Sequence, residues 1–115
     1  MEQRKKELKE QYKQLKPDMG ILMVTSKANN KRLLVATQDL TSMVNRIKFQ
    51  LNSGYFPQRD LQQDWKTYGK DNFAIEVLDT LEYSKDESKT DYSEDLAELR
   101  AIWEEKLTRE GAELY

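Results

Sequence analysis

The stretch from Gly20 to Thr37, GILMVTSKANNKRLLVAT, constrains the fold more than any other part of the chain. Two apolar runs, Ile21 to Val24 and Leu33 to Ala36, flank a polar segment centred on Asn29-Asn30. Asn tolerates left-handed backbone, so the pattern predicts a β-hairpin with strands over Met19 to Thr25 and Arg32 to Thr37. The first strand is apolar at consecutive positions instead of alternate ones. It is therefore expected to be covered on both faces and to lie at the centre of its sheet.

The rest of the chain supplies the cover. Leu8, Tyr12 and Leu15 repeat at helical spacing and predict an N-terminal amphipathic helix over residues 2 to 16, stopped by Pro17. Leu40, Met43, Val44, Ile47 and Leu51 predict a helix from about Asp39 to Leu51, closed by Asn52, Ser53 and Gly54. Leu61, Trp65 and Tyr68 predict a second from Arg59 to Tyr68, with Trp65 and Tyr68 read as core and Gly69 as its stop. FAIEVLDTL, Phe73 to Leu81, reads as a third strand, and Tyr83 to Thr90 as an acidic loop. A last helix opens at Asp91 or Ser93, either able to cap it, and runs through Leu96, Leu99, Trp103 and Leu107 towards Gly111.

The predicted order is α-β-β-α-α-β-α, an α+β class with a three-stranded, mainly antiparallel sheet flanked by helices. At 115 residues the chain holds one domain: a helix over 1–17, the globular part over 18–110 and a tail over 111–115.

Composition narrows the chemistry. With no Cys and no His there is no thiolate nucleophile, no imidazole base and no Cys- or His-bound zinc. An enzyme would have to use carboxylates, Lys, Arg, Tyr and a hard metal ion. No apolar run approaches the roughly 20 residues of a spanning helix and no signal peptide opens the chain, so the expected location is cytoplasmic, away from membranes. Residues 1–70 hold 14 Lys/Arg against 7 Asp/Glu, whereas residues 71–115 hold 5 against 14. This division fits phosphate contact on one face; it fits equally two halves attracting each other, or a solvated charged surface.

The element order and its residues resemble the GIY-YIG nuclease domain from about Gly20 to Leu107. Gly20-Ile21-Leu22 stands where that family has its first triplet, and Leu33-Leu34-Val35 where it has the second. LQQDWKTYGKDNF from Leu61, and LAELRAIWEEKL from Leu96, are similar to its second and last helices. The resemblance implies DNA phosphodiester hydrolysis. A helix Glu would hold Mg²⁺ or Mn²⁺, the triplet tyrosines would handle the attacking water, and a helix Arg would steady the phosphate.

Carried over residue by residue, the tyrosines fall on Leu22 and Leu33, the second triplet's Gly on Val35, the Arg on Met43 and the metal-binding Glu on Arg100. None of these side chains can supply the group it replaces. Shifting the register of the last helix would put Glu98 or Glu104 in the ligand position. The expectation is thus a nuclease-like domain with no catalytic residue, no metal and no cofactor, acting as a binding module. Nucleic acid, DNA or RNA, is the candidate partner, through Lys31, Arg32, Arg46 and Lys48, and the loop aromatics Tyr55 and Phe56 are candidates for base stacking. The alternatives are an active nuclease using Glu98 or Glu76 with Mg²⁺ or Mn²⁺, and a domain that docks another protein.

Overall fold

The computed structural model describes residues 16–115; the N-terminal helix expected over residues 2 to 16 lies almost entirely outside them. Strands β1 (Met19–Ser26) and β2 (Lys31–Thr37) form the hairpin, in antiparallel register from Gly20 opposite Thr37 to Thr25 opposite Arg32. Asn30 sits in the turn with φ of 57°, the left-handed conformation for which the Asn pair was read. Strand β3 (Phe73–Leu81) pairs antiparallel with the other side of β1, which places β1 at the centre as its unbroken apolar run requires.

The sheet has four strands where three were expected, and it is mixed. Within the residues read as a tail, β4 (Glu113–Leu114) pairs parallel with Lys31 and Arg32, giving the order β3-β1-β2-β4. Two residues carry no readable period. Their pairing depends on tertiary contacts: the Tyr115 N–H donates to the Arg32 carbonyl at 2.9 Å, and Leu114 packs near Ile21, Leu34 and Leu107.

Three helices follow the periods in the sequence: α1 (Leu40–Ser53), α2 (Arg59–Tyr68) and α3 (Ser93–Arg109). The Asp39 carboxylate accepts from the Ser42 N–H at 3.1 Å to start α1, and Gly54 ends it in left-handed backbone at φ of 83°. The Gln58 amide oxygen caps α2 by accepting from the Leu61 N–H at 2.9 Å.

At α3 the expectation needs correction, because neither Asp91 nor Ser93 caps it. The cap position belongs to Tyr92, whose side chain makes no capping bond. Its ring is buried with Met19 and Leu96, and its hydroxyl accepts from the Ser84 N–H at 2.9 Å. Burial of the ring fixes the helix start, and the Asp91 carboxylate instead accepts from the Ser93 N–H and hydroxyl. Those two bonds, the hydroxyl's first, hold the Asp91 carboxyl below its ordinary value.

Both faces of the sheet are covered. Leu22 and Val24 of β1 pack against Leu40, Ile47 and Leu51 of α1 and Leu61 of α2. On the opposite face Ile21 packs with Leu34 and Leu107, and Met19 with Tyr92 and Leu96. Each fully buried aliphatic side chain stabilises the fold by about 1.5–3 kcal/mol, so β1 anchors both cores. Gly20 is required by close backbone approach: a Cβ there would lie 2.1 Å from the Asp79 carbonyl oxygen. Beside it the β1–β3 register shifts between Ile21 and Leu22, a local bulge. Of the two residues read as core on α2, Trp65 packs on Phe73 with ring centroids 5.1 Å apart, whereas Tyr68 is exposed.

Candidate functional site

The hairpin, α1 and the loop after it enclose a concavity of about 420 Å³ along the outer edge of β2. Leu33 and Val35 form its floor, Met43, Arg46 and Gln50 of α1 one wall, and Phe56 to Gln58 its end. Gln62 fixes that end: its buried amide accepts from the Phe56 N–H at 2.9 Å and donates to the Leu51 carbonyl at 3.0 Å. Arg100 of α3 reaches the same concavity from the other side of the sheet, past the part of β2 that β4 leaves uncovered. Its Nε lies 3.7 Å from Glu104, a loose pair on a half-exposed surface.

Four of the five positions taken from the resemblance, Leu33, Val35, Met43 and Arg100, therefore come together. Leu22 does not reach the surface; it is fully buried beneath them, opposite Val35 in the hairpin register. The lining contains two guanidinium groups and no carboxylate. Glu98 and Glu76, the alternative carboxylates, are exposed on α3 and β3 and line none of it. Among the described residues no group of three His, Cys, Asp or Glu is placed to hold a metal ion.

The four basic candidates do not form one cluster. Arg46 lines the concavity beside β2, whereas Lys48 lines a second one, of about 410 Å³, between α1, α2 and β3. This second cavity is walled by Trp65, Phe73 and Ile75, with Lys70, Asn52 and Asp71 completing its lining. Lys31 stands at the corner near β4, its ammonium 5.7 Å from the centre of the Tyr115 ring. Arg32 is half-buried, and its Nε is covered without a hydrogen-bond partner among the described residues.

A polar network stabilises that corner. The Tyr115 hydroxyl donates to Asp64 at 2.6 Å, and the Asn29 amide donates to the same carboxylate oxygen at 2.8 Å, tying the chain end, α2 and the hairpin turn together. Burial first, and then the bond to Asp64, push the Tyr115 phenol above its ordinary value. Asn72 pins the other side of the turn, donating to the Ser26 hydroxyl and accepting from the Ala28 N–H, each at 2.9 Å.

Three ion pairs, Lys89–Asp95, Arg100–Glu104 and Arg109–Glu105, lie within the acidic end of the chain.

Two residues, Phe49 and Gln62, escaped the sequence reading. Phe49 points outward from α1 at 71% exposure; of the two loop aromatics named as stacking candidates, Tyr55 is 81% exposed, while Phe56 packs on the core. A signal for Phe49 was present, since it lies off the apolar stripe of its helix. Gln62 gave none, because a buried glutamine is recognised only by the backbone groups it serves. No helix among the described residues is long and apolar enough to cross a membrane.

Neither protein-family models nor curated protein sequences give a match to the chain. Solved structures do. The catalytic domain of the homing endonuclease I-TevI superposes with a TM-score of 0.65 at 20% identity, covering 83% of this chain and 94% of that one. A mutant form of the same intron-endonuclease domain gives a TM-score of 0.64 at 20% identity, over 84% of this chain and 90% of that one. The α+β layering described above, with its mixed four-stranded sheet flanked by helices, is therefore the fold of a GIY-YIG nuclease domain.

Proposed function

We propose that this domain keeps the nuclease fold without the nuclease chemistry and acts as a nucleic-acid-binding module. One observation carries the reading: Leu33, Val35, Met43 and Arg100 meet in a single concavity whose charged members are Arg46 and Arg100. A phosphodiester reaction needs a metal or another cation on the phosphate, an acceptor for the water's proton, and stabilisation of the charge that develops. Apolar side chains at three of these positions, Leu33, Val35 and Met43, supply none of the three. A divalent cation prefers oxygen donors, and at the position the resemblance gives to its ligand it would meet a guanidinium, so the donor set does not fit the ion. Two arginines in a lining without carboxylates do fit a phosphate group, which Arg can bind through paired N–H donors.

The test pairs a binding assay with a cleavage assay. Retention of labelled DNA or RNA is expected at low salt, with affinity falling as salt rises, because phosphate contact releases counterions. Plasmid incubated with Mg²⁺ or Mn²⁺ is expected to stay intact. Absence of retention at any salt would remove the binding role; cleavage lost on Glu98→Ala or Glu76→Ala would replace it with an active nuclease.

A further inference from the structure

The outer surface of α1 combines unpaired cations with exposed aromatic rings. Along α1 the charged residues are Arg46 and Lys48, with no Asp or Glu. Between and beyond them stand two aromatic rings in solvent, Phe49 at 71% exposure and Tyr55 at 81%. Lys66 of α2 adds a third cation at this end of the helix: its ammonium lies 3.7 Å from where a Cβ on Gly54 would be. Among the described residues, none of these three cations belongs to an ion pair. Beside them opens the cavity of about 410 Å³ that Lys48 shares with Trp65 and Phe73.

Phe49 lies off the apolar stripe of its helix and contributes nothing to the core, so its ring is open to a ligand. Rings interleaved with cations match a ligand that offers flat apolar faces at intervals along a chain of negative charges. Paired bases within a duplex have their faces occupied by their neighbours. Unpaired bases do not.

Resting on the binding role proposed above, we infer that the face formed by α1, Tyr55 and the Trp65 cavity binds unpaired nucleotides of DNA or RNA in preference to duplex. Arg46, Lys48 and Lys66 hold the phosphates, Phe49 and Tyr55 stack on bases, and the Trp65–Phe73 cavity accepts one base turned out of the strand. The same chemistry occurs in a single strand and in the unpaired end or loop of a folded one.

The experiment measures fluorescence anisotropy of the full chain with labelled single-stranded DNA, single-stranded RNA, a duplex of the same sequence and a duplex with an unpaired overhang. Single strands are expected to bind more tightly than the blunt duplex, with the overhang closer to the single strand. Phe49→Ala and Tyr55→Ala remove exposed rings and so leave the fold intact. Each is expected to weaken single-strand binding about fivefold or more while leaving blunt-duplex binding unchanged. In a Trp103→Phe background Trp65 is the remaining indole of the chain's two, and its emission is expected to be quenched by single strands. Equal binding of all four probes with both Ala variants indifferent would overturn the inference and leave the binding role standing. No binding of any probe would overturn both.

Discussion

The two faces of the sheet are built alike and dressed differently. Each rests on β1, Leu22 and Val24 on one side and Met19 and Ile21 on the other, and each is closed by helices carrying an apolar stripe. Helix α1 carries Arg46 and Lys48 and no acid, whereas α3 carries five Asp/Glu against three Lys/Arg. The ion pairs on the α3 side, Arg100–Glu104 and Arg109–Glu105, are local ones within the helix. What this teaches is that two helices on opposite faces of one sheet carry charge of opposite sign. A positive face opposite a negative one directs a polyanion to one side of the molecule.

If the contrast is one of surface only, the two cores should respond alike. Leu22→Ala and Ile21→Ala are each expected to cost about 2–5 kcal/mol of stability in urea denaturation, because both side chains are fully buried. A large inequality between them would mean that the faces differ in packing as well as in charge. The charges themselves are broken next. Arg46→Glu with Lys48→Glu is expected to reduce nucleic-acid retention at low salt roughly tenfold, while Glu98→Lys with Glu105→Lys on α3 changes it about twofold or less.

Smaller effects separate the anchors of each face. On the α3 side the Trp103 indole N–H donates to Asp79 at 2.9 Å. Trp103→Phe removes that donor and is expected to cost about 1 kcal/mol, read from the denaturation midpoint. On the α1 side, Tyr115→Phe is expected to cost up to about 1 kcal/mol at neutral pH. Its signature is in the pH dependence. The folded-state phenol titrates above the ordinary value of 10.0, so its stabilisation is complete below that value and is lost as pH rises through the folded one. Tyr115→Phe should flatten the alkaline fall in stability. Tyr83, whose hydroxyl donates to the Pro17 carbonyl and is also pushed up by burial, should leave a residual slope.

Much of the fold was legible because it follows from one-dimensional pattern. The hairpin was marked by its Asn pair, β1 by an unbroken apolar run, α1 and α2 by apolar spacing ended by Gly54 and Gly69. What escaped notice depended on partners distant in sequence. Strand β4 exists because Arg32 offers a free carbonyl and Leu34 an apolar neighbour. Tyr92 displaces Asp91 and Ser93 from the start of α3 because its ring finds Met19, some seventy positions earlier in the chain. The site was legible only in part for the same reason. Residue-by-residue comparison with a nuclease domain picked out Leu33, Val35, Met43 and Arg100, which do converge; Arg46 and Lys48, two positions apart on one helix, flank the buried Ile47 and so line different cavities, as their spacing already implied. Spacing could not tell that the Arg32 Nε would be buried.

The short pairing of β4 with β2 has a kinetic meaning. The hairpin closes over a few residues, but β4 can join only after nearly the whole described chain has been arranged, since Glu113 must find Lys31. Contacts of such long sequence separation carry the largest loop-closure cost and form late. The outer edge of β2 is thus the last seam of the sheet to be sewn and the first to open. Amide exchange at Tyr115, whose N–H completes that seam, should report openings that leave β1 and β3 paired.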